Sequence, residues 1–362
     1  MCAAASRGPS RRSAEPSVAE GAGKAGQRLD GAPTARVIVA GASGFAGALA
    51  AQLVWRHPHL ELVEVTSRSD AGRPLSDLYP RYRVPLELAE LDPGRIEADA
   101  AIVAYPHGVS APVVADMRGL GLSVVDLSAD FRLGDLPTYE HWYGEHGAPD
   151  LLEGAVYGLT ELHRDAVREA ELVANPGCYP TAALLALAPL AREGLIDDVV
   201  VDAKSGISGS GRGGGDANHF VTLDENTTPY KTEGHRHEPE ISEQLRIAGG
   251  RDVPLTFVPH LLPLDQGELV SCYVRPSREI SQDEAEELFR GAYENEPFVE
   301  VAEAPPGVRD VRDTNLCRIR VVSRPDRRLV FAAIDNLWKG AAGQAIQNLN
   351  LMLGLPETEG LE

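Results

Sequence analysis

Short apolar runs separated by polar turns recur along the chain from Arg36 onward, and their spacing predicts the fold. Arg36–Ala40 reads R-V-I-V-A, a short buried strand, and a glycine-rich turn with an apolar helix follows over Gly41–Trp55. Glu61–Thr66, Asp99–Ala104, Leu122–Leu127 and Glu171–Asn175 repeat the strand pattern. Strands alternating with helical stretches at this spacing predict βαβ units and a parallel sheet. The pattern changes after about residue 197. Val199–Ala203, Leu255–Val258, Glu268–Val274, Leu316–Val322 and Leu329–Ile334 predict more widely separated strands of a mixed or antiparallel sheet, with a helix over Asp283–Glu294. A final helix is expected over Gly340–Leu353, with Ala341, Ala345, Ile346, Leu349 and Leu353 along one side. The expected class is α/β, in two domains, which 362 residues comfortably allow.

Residues 1–34 break the pattern. They hold almost no large apolar side chain, and a segment of Ala, Gly, Ser, Pro and Arg cannot bury enough surface to order itself. A disordered extension is expected there, with a transit peptide as the alternative for so Arg/Ser-rich a start. The remaining chain is ordinary in hydrophobicity, and its longest apolar runs, such as Leu184–Leu190, fall far short of the ~20 residues of a membrane span. No membrane partner is expected. The net charge of −20 would repel phosphate backbones, so no nucleic-acid partner is expected either. Four scattered cysteines (Cys2, Cys178, Cys272, Cys317) make no disulfide framework and suit a reducing cytoplasm.

Candidate chemistry starts at the first turn. Gly41-Ala42-Ser43-Gly44-Phe45-Ala46-Gly47 is G-x-x-G-x-x-G, directly after a strand and opening a helix. Glycine there lets backbone N–H groups approach a pyrophosphate at the positive helix end. A bland packing turn is the alternative. An NAD site would place an acid at the end of the second strand to hold the ribose 2′-hydroxyl. This chain has Ser67-Arg68-Ser69, whose hydroxyls and guanidinium suit a 2′-phosphate and hence NADP(H), with Asp70 just beyond as the discordant residue.

Cys178 follows a parallel strand in Asn175-Pro176-Gly177-Cys178-Tyr179-Pro180, at the expected N-terminus of a helix whose first turn holds Pro180. Unpaired amides and the helix dipole favour a thiolate at such a position, so Cys178 reads as a nucleophile, against the alternative of a buried structural cysteine. His235-Arg236-His237 offers imidazoles to exchange protons with the thiol and with a carbonyl oxygen. Two histidines two apart would share one face of a strand. A metal pair completed by Cys178, His219 or His260 is the competing reading. Lys204-Ser205-Gly206-Ile207-Ser208-Gly209-Ser210-Gly211-Arg212 is a glycine/serine loop bracketed by cations, an anion cradle or a plain flexible loop. Arg132 supplies another cation beyond a strand end.

These motifs occur in order with P-H-G-V-S at 106–110, D-L-S-A-D-F-R-L at 126–133, V-Y-G-L-T-E at 156–161, P-H-L-L-P at 259–263 and D-N-L-W-K-G-A-A-G-Q-A-I-Q-N at 335–348. Together they resemble the N-acetyl-γ-glutamyl-phosphate reductase family of arginine biosynthesis over about residues 35–354. The resemblance implies the aspartate-semialdehyde-dehydrogenase-like fold: an NADP-binding Rossmann domain over 35–177, an α+β catalytic and dimerisation domain over 178–335, and a C-terminal helix within 336–362 that returns to the first domain. It implies NADPH-dependent reduction of a small acyl phosphate to a semialdehyde through a thioester on Cys178, with His237 before His235 as acid/base and no metal. Pro106, His107, Gly108, Ser208, Gly209 and Asn336 would join the cofactor site, with Asn336 beside the nicotinamide. Arg132, Asn175, Lys204, Ser205, Arg212 and Arg236 would hold the substrate. Family members are homodimers or homotetramers. One departure stands out: the family's usual Arg-Gly after P-H-L-x-P is Gln266-Gly267 here. The alternatives are a lysine-pathway reductase whose aminoadipyl phosphate rides on an acidic carrier protein, and a non-catalytic NADP-binding regulator. So acidic a chain would repel an acidic carrier, which favours a free small substrate.

Overall fold

The computed structural model describes residues 35–213 and 219–362, so the extension expected over 1–34 lies outside the described residues. The first sheet comprises β1 (Ala35–Ala40), β2 (Leu60–Thr66), β3 (Leu88–Ala89), β4 (Ala100–Val103), β5 (Ser123–Asp126), β6 (Ala155–Tyr157) and β7 (Leu172–Ala174). Every pairing in it is parallel, in the order β3-β2-β1-β4-β5-β7-β6. Between these strands run α1 (Phe45–Arg56), α2 (Leu75–Leu78), α3 (Ser110–Gly119), α4 (Leu136–Tyr143) and α5 (Thr160–Glu169).

The unbroken apolar run of β1 is explained by cover on both faces. Side chains alternate along a strand. Val37 and Val39 therefore join Leu49 and Leu53 of α1 in one core, while Ile38 and Ala40 join Val114 and Met117 of α3 in another.

The second sheet begins after α6 (Cys178–Arg192), with β8 (Ile196–Ser205). Then come α7 (Phe220–Leu223), β9 (Thr228–Pro229), α8 (Glu238–Gly249), β10 (Leu255–Leu261), β11 (Glu268–Pro276) and α9 (Gln282–Tyr293). β12 (Val299–Val301), β13 (Cys317–Ser323) and β14 (Arg328–Ile334) complete it, in the order β12-β13-β14-β11-β8-β10-β9. The sheet is mixed: β8 and β10 run parallel, as do β12 and β13, and the other pairs are antiparallel. Its inner face packs Val201, Ala203, Val270 and Ile334 against the almost wholly apolar α6. Cys272 and Cys317 sit in that core. The opposite face carries the exposed side chains of Val200 and Tyr273.

The chain then turns through a wider π turn over Trp338–Ala342 into α10 (Gly343–Met352). Leu337, Ala342, Ala345, Ile346 and Leu349 bury themselves in the core of the first sheet, so the last helix returns to the beginning of the chain. It starts later than the sequence pattern predicts. The cause is local: a Cβ on Gly340 would lie 2.8 Å from Cβ of Cys178, so this backbone is pressed against the head of α6 and widened there. Among the described residues, no helix is long and apolar enough to cross a membrane.

Candidate active site

The carboxyl ends of the parallel strands face the second sheet across a cleft of about 710 Å³. Gly41, Ser43, Gly44, Phe45, Ala46 and Gly47 line one end of it. Gly41 has φ +89°, and a Cβ there would come within 2.7 Å of the Ala104 carbonyl oxygen. The turn is therefore restricted to bare backbone, as a closely approaching pyrophosphate requires. Ala42 takes part differently, buried beneath the loop. Ser67 Oγ donates to Ser43 Oγ at 2.8 Å, which ties the end of β2 to the loop.

Arg68 lines this cleft and also a neighbouring cavity of about 660 Å³, shared with Ser67, Gly108 and Tyr105. Ser69 lines the cleft. The discordant acid, Asp70, is already engaged: Arg212 Nη1 lies 2.8 Å and Arg73 Nη1 3.0 Å from its carboxylate, and Ser69 Oγ donates to it at 2.8 Å. The hydrogen bonds from Arg212 and Ser69 hold its carboxyl below the usual range.

At the other end of the cleft stand Pro106, His107, Arg132, Cys178, Ser208, Gly209, Arg236, His237 and Asn336. Asn336 is fixed on both sides: its Nδ2 donates to Ser208 Oγ at 3.0 Å and its Oδ1 accepts from Gly267 N at 2.7 Å. A smaller cavity of about 250 Å³ opens beside it, lined by Cys178, Tyr179, Ser205, Tyr230, Lys231, His235, Arg236 and His237 among others. Cys178, Gly209, Ser210, Arg236 and His237 belong to both cavities. The thiol thus stands where a dinucleotide-sized cleft meets a small cationic pocket.

The turn that presents Cys178 is clamped by Glu240. Its carboxylate accepts from Gly177 N at 2.9 Å and from Tyr157 OH at 2.8 Å, and it pairs with Arg132 at 3.4 Å. Arg132 spends its other donors on the carbonyls of Asn175 at 2.7 Å and Leu127 at 2.8 Å. This pair is fully buried, and removing one member of such a pair costs roughly 3–5 kcal/mol. Arg132 is therefore an occupied cation. Arg236 contrasts with it, because its buried Nε has no hydrogen-bond partner. Arg236 is the guanidinium that lines the small pocket, and it has a free donor to offer an anion.

Three residues expected at the substrate lie elsewhere. Asn175 lines neither cavity; its side chain donates to Ala341 O at 3.2 Å and accepts from Asn348 at 3.1 Å, joining the cysteine turn to α10. Lys204 is on the outer face of β8, paired with Asp202 at 2.5 Å, because strand alternation turns Ser205 inward and Lys204 outward. Arg212 reaches across to Asp70 and Ser43 and lines only the larger cleft. Gln266 also lines neither cavity. Its amide donates to Asp335 at 2.5 Å and Asp313 at 3.1 Å, a structural role in the loop before β11.

The two histidines do not share a strand face. Pro239 in the first helical turn, with Glu238 and Glu240 beside it, starts α8 directly after them, and His237 is its N-cap residue. The tight turn brings the rings together anyway, with centroids 4.8 Å apart and His237 N donating to His235 Nδ1 at 3.1 Å. Burial lowers the pKa of His235 to about 3, helped by Lys231 and Arg236. Burial likewise holds His237 well below its ordinary value, with His235, Arg132 and Arg236 adding to it. His107 falls to about 2 for the same reasons, and its Nδ1 accepts from Ala129 N at 2.8 Å. The imidazoles are neutral at physiological pH. No cluster of three or more His, Cys, Asp or Glu side chains able to hold a metal exists among the described residues.

Cys178 differs from the sequence expectation in one respect. Burial pushes its thiol well above the ordinary value and Glu268 adds to that, while the backbone amide of Tyr179 at the head of α6 pulls the other way. Desolvation outweighs the helix end. Tyr230, Lys231, Glu240 and Glu268 escape the sequence reading; Glu240 follows His237 by three residues, and nothing in the spacing marks the other three.

Fold and site together define an oxidoreductase of the semialdehyde-dehydrogenase type, with a nicotinamide-dinucleotide cleft and a cysteine at its end. The comparisons agree. Residues 36–170 match the family described as semialdehyde dehydrogenase, NAD binding domain, and residues 178–336 match semialdehyde dehydrogenase, dimerisation domain. A protein of Desulforudis audaxviator named N-acetyl-gamma-glutamyl-phosphate reductase is 48% identical over 90% of this chain and 97% of its own length. One of the same name from Methanopyrus kandleri is 46% identical, with 90% and 97% covered. The chain belongs to the N-acetyl-γ-glutamyl-phosphate reductase family. Among solved structures, aspartate semialdehyde dehydrogenase II of Vibrio cholerae superposes with a TM-score of 0.68 at 18% identity, over 88% of this chain and 98% of that one. It shares the fold.

Proposed function

We propose that the chain reduces N-acetyl-γ-glutamyl phosphate to N-acetylglutamate semialdehyde, releasing phosphate, through a thioester on Cys178. The carrying observation is the position of Cys178, common to the dinucleotide cleft and the small pocket that holds Arg236 and Lys231. A nicotinamide dinucleotide held by the Gly41–Gly47 loop, Arg68 and Asn336 would supply the hydride that reduces the thioester. The chain's own part is to hold that carbon on Cys178, to fix Asn336 beside it and to neutralise the substrate's anionic groups with Arg236 and Lys231. His237, neutral and with an unpartnered buried Nδ1, serves as the proton shuttle, and His235 positions it. Residues 35–177 and the returning α10 form the dinucleotide domain in this reading, and residues 178–335 carry catalysis and assembly. The uncovered face of the second sheet, with Val200 and Tyr273 exposed, supports a homo-oligomer. A cytoplasmic setting would keep the nucleophile reduced.

The reading is tested in the oxidative direction. Phosphate- or arsenate-dependent NADP reduction should be fast with free N-acetylglutamate semialdehyde and slow with carrier-linked aminoadipate semialdehyde. A preference for the carrier-linked compound would overturn the substrate assignment.

NADP is the proposed dinucleotide, on the strength of Arg68 between two cavities and of an Asp70 already engaged by Arg212. Arg68→Ala should raise KM for NADPH by roughly 10- to 150-fold, the ~1.5–3 kcal/mol of a charge-assisted contact, and leave NADH nearly untouched. Equal effects on both cofactors would reduce Arg68 to a structural role.

A further inference from the structure

Arg212 starts from the second sheet and ends on the first. It closes the glycine/serine loop after β8, and the base of that loop is pinned. Gly206 N, Ile207 N and Ser208 N donate to the carbonyls of Gly267, Leu264 and Asp265 at 2.9, 2.9 and 3.1 Å. From there the guanidinium crosses to Asp70, where Nη1 donates to one carboxyl oxygen at 2.8 Å and Nη2 to the other at 3.4 Å. Nη1 also donates to the Ser43 carbonyl at 3.4 Å. Ser43 belongs to the glycine turn and Asp70 to the loop beyond β2. One side chain therefore spans the two segments that, in sheets of this kind, meet a dinucleotide's pyrophosphate and its ribose.

The acid matters because of where it stands. A carboxylate beyond the second strand accepts from a ribose 2′-hydroxyl and repels a 2′-phosphate, which is how such sheets tell the two nicotinamide dinucleotides apart. Asp70 has that place in the chain without its freedom. It is buried, and Arg212, Arg73 and Ser69 Oγ all meet its carboxylate. Arg73 comes from the same turn, three residues on, and lines neither of the cavities that Arg68 joins. Arg212 lines the larger of them, together with Arg68 and Ser69. No Asp or Glu lines that cleft among the described residues, and Glu90, on the neighbouring cavity, is exposed to solvent.

We infer that Arg212 sets the cofactor preference from the opposite domain: by holding Asp70 it withdraws the carboxylate from the ribose and keeps the cleft cationic for a 2′-phosphate. The inference rests on the NADP reading above. Arg212 acts through Asp70 and is a positioning residue, while Arg68 remains the guanidinium offered to the phosphate. Without Arg212, the carboxylate repels the phosphorylated dinucleotide, and its freed oxygen can accept from the 2′-hydroxyl of the other.

The test is a fluorescence titration of the full-length protein with NADPH and with NADH. Arg212→Ala should raise the Kd for NADPH by at least about tenfold and leave that for NADH unchanged or lower. The fold should tolerate the change, because the loop is pinned at its base and the Arg212 side chain is 41% exposed. Arg212→Lys keeps a cation in reach of Asp70 and should retain most of the preference. Adding Asp70→Asn to Arg212→Ala should return the NADPH Kd to within about threefold of wild type, since the acceptor stays and the charge goes. A preference unchanged in Arg212→Ala, whether both dinucleotides weaken or neither does, overturns the inference. So does a loss that Asp70→Asn fails to recover. Failure of the NADP reading looks different: the wild-type protein would then bind NADH as tightly as NADPH, before any residue is changed.

Discussion

Cys178→Ala should lose at least about four powers of ten in turnover while binding NADPH as tightly as the wild type. Replacing a covalent nucleophile removes the reaction's first bond, and such losses run to several powers of ten. Binding should be spared because the Gly41–Gly47 loop, Arg68 and Asn336 line much of the cleft proposed for the dinucleotide, and the thiol lies at its end. The substitution is also small. It removes one sulfur from a half-buried position and leaves the clamp of Glu240 on Gly177 N intact, so the turn keeps its shape. Stopped-flow turnover with a parallel fluorescence titration of NADPH checks both halves. A residual rate above about a tenth of wild type would mean that hydride reaches the acyl phosphate directly.

Much of this site could be read before any coordinates, because its chemistry lies where backbone geometry constrains the sequence. A turn that tolerates only bare backbone at Gly41, and a cysteine set at the head of α6 by Gly177 and Pro180, both leave a spacing that names them. Strands β1, β2, β4, β5 and β7 were legible for a similar reason, since their cover on both faces leaves mostly apolar runs, whereas β3 and β6, two and three residues long, leave no such pattern. Helices α3, α4 and α5 are short and half-polar and leave little periodicity to read; α8 is as long as α9, but the H-R-H triplet before it reads as a strand. Charged side chains were the harder case. Lys204 and Arg212 belong to a loop that looks like an anion cradle, yet one turns to the outer face of β8 and the other crosses to Asp70. Their direction depends on strand parity and on a partner more than a hundred residues away. Glu268 could not be found at all, because a carboxyl opening a strand reads as a solvated end until the fold closes over it.

His237→Asn should cost ~10²–10⁴-fold in kcat/KM, the usual worth of a positioned acid or base, and His235→Asn about tenfold or less. The geometry separates the two rings. His237 lines both cavities, and its Nδ1 has no partner, whereas His235 lines only the small pocket and already accepts from His237 N. The pH dependence sharpens the test and departs from what the H-R-H motif suggests. An ordinary histidine would give a limb near neutrality. Burial lowers His237 far below that, with His235 and Arg132 reinforcing it, so the free enzyme holds the neutral imidazole across the physiological range. Lowering the pH to 6 should therefore leave His237 uncharged, and no limb between pH 6 and 7 should belong to it. A neutral limb present in the wild type and abolished by His237→Asn would show that the imidazole titrates normally, with solvent reaching it through the small pocket. A larger loss in His235→Asn than in His237→Asn would exchange their roles.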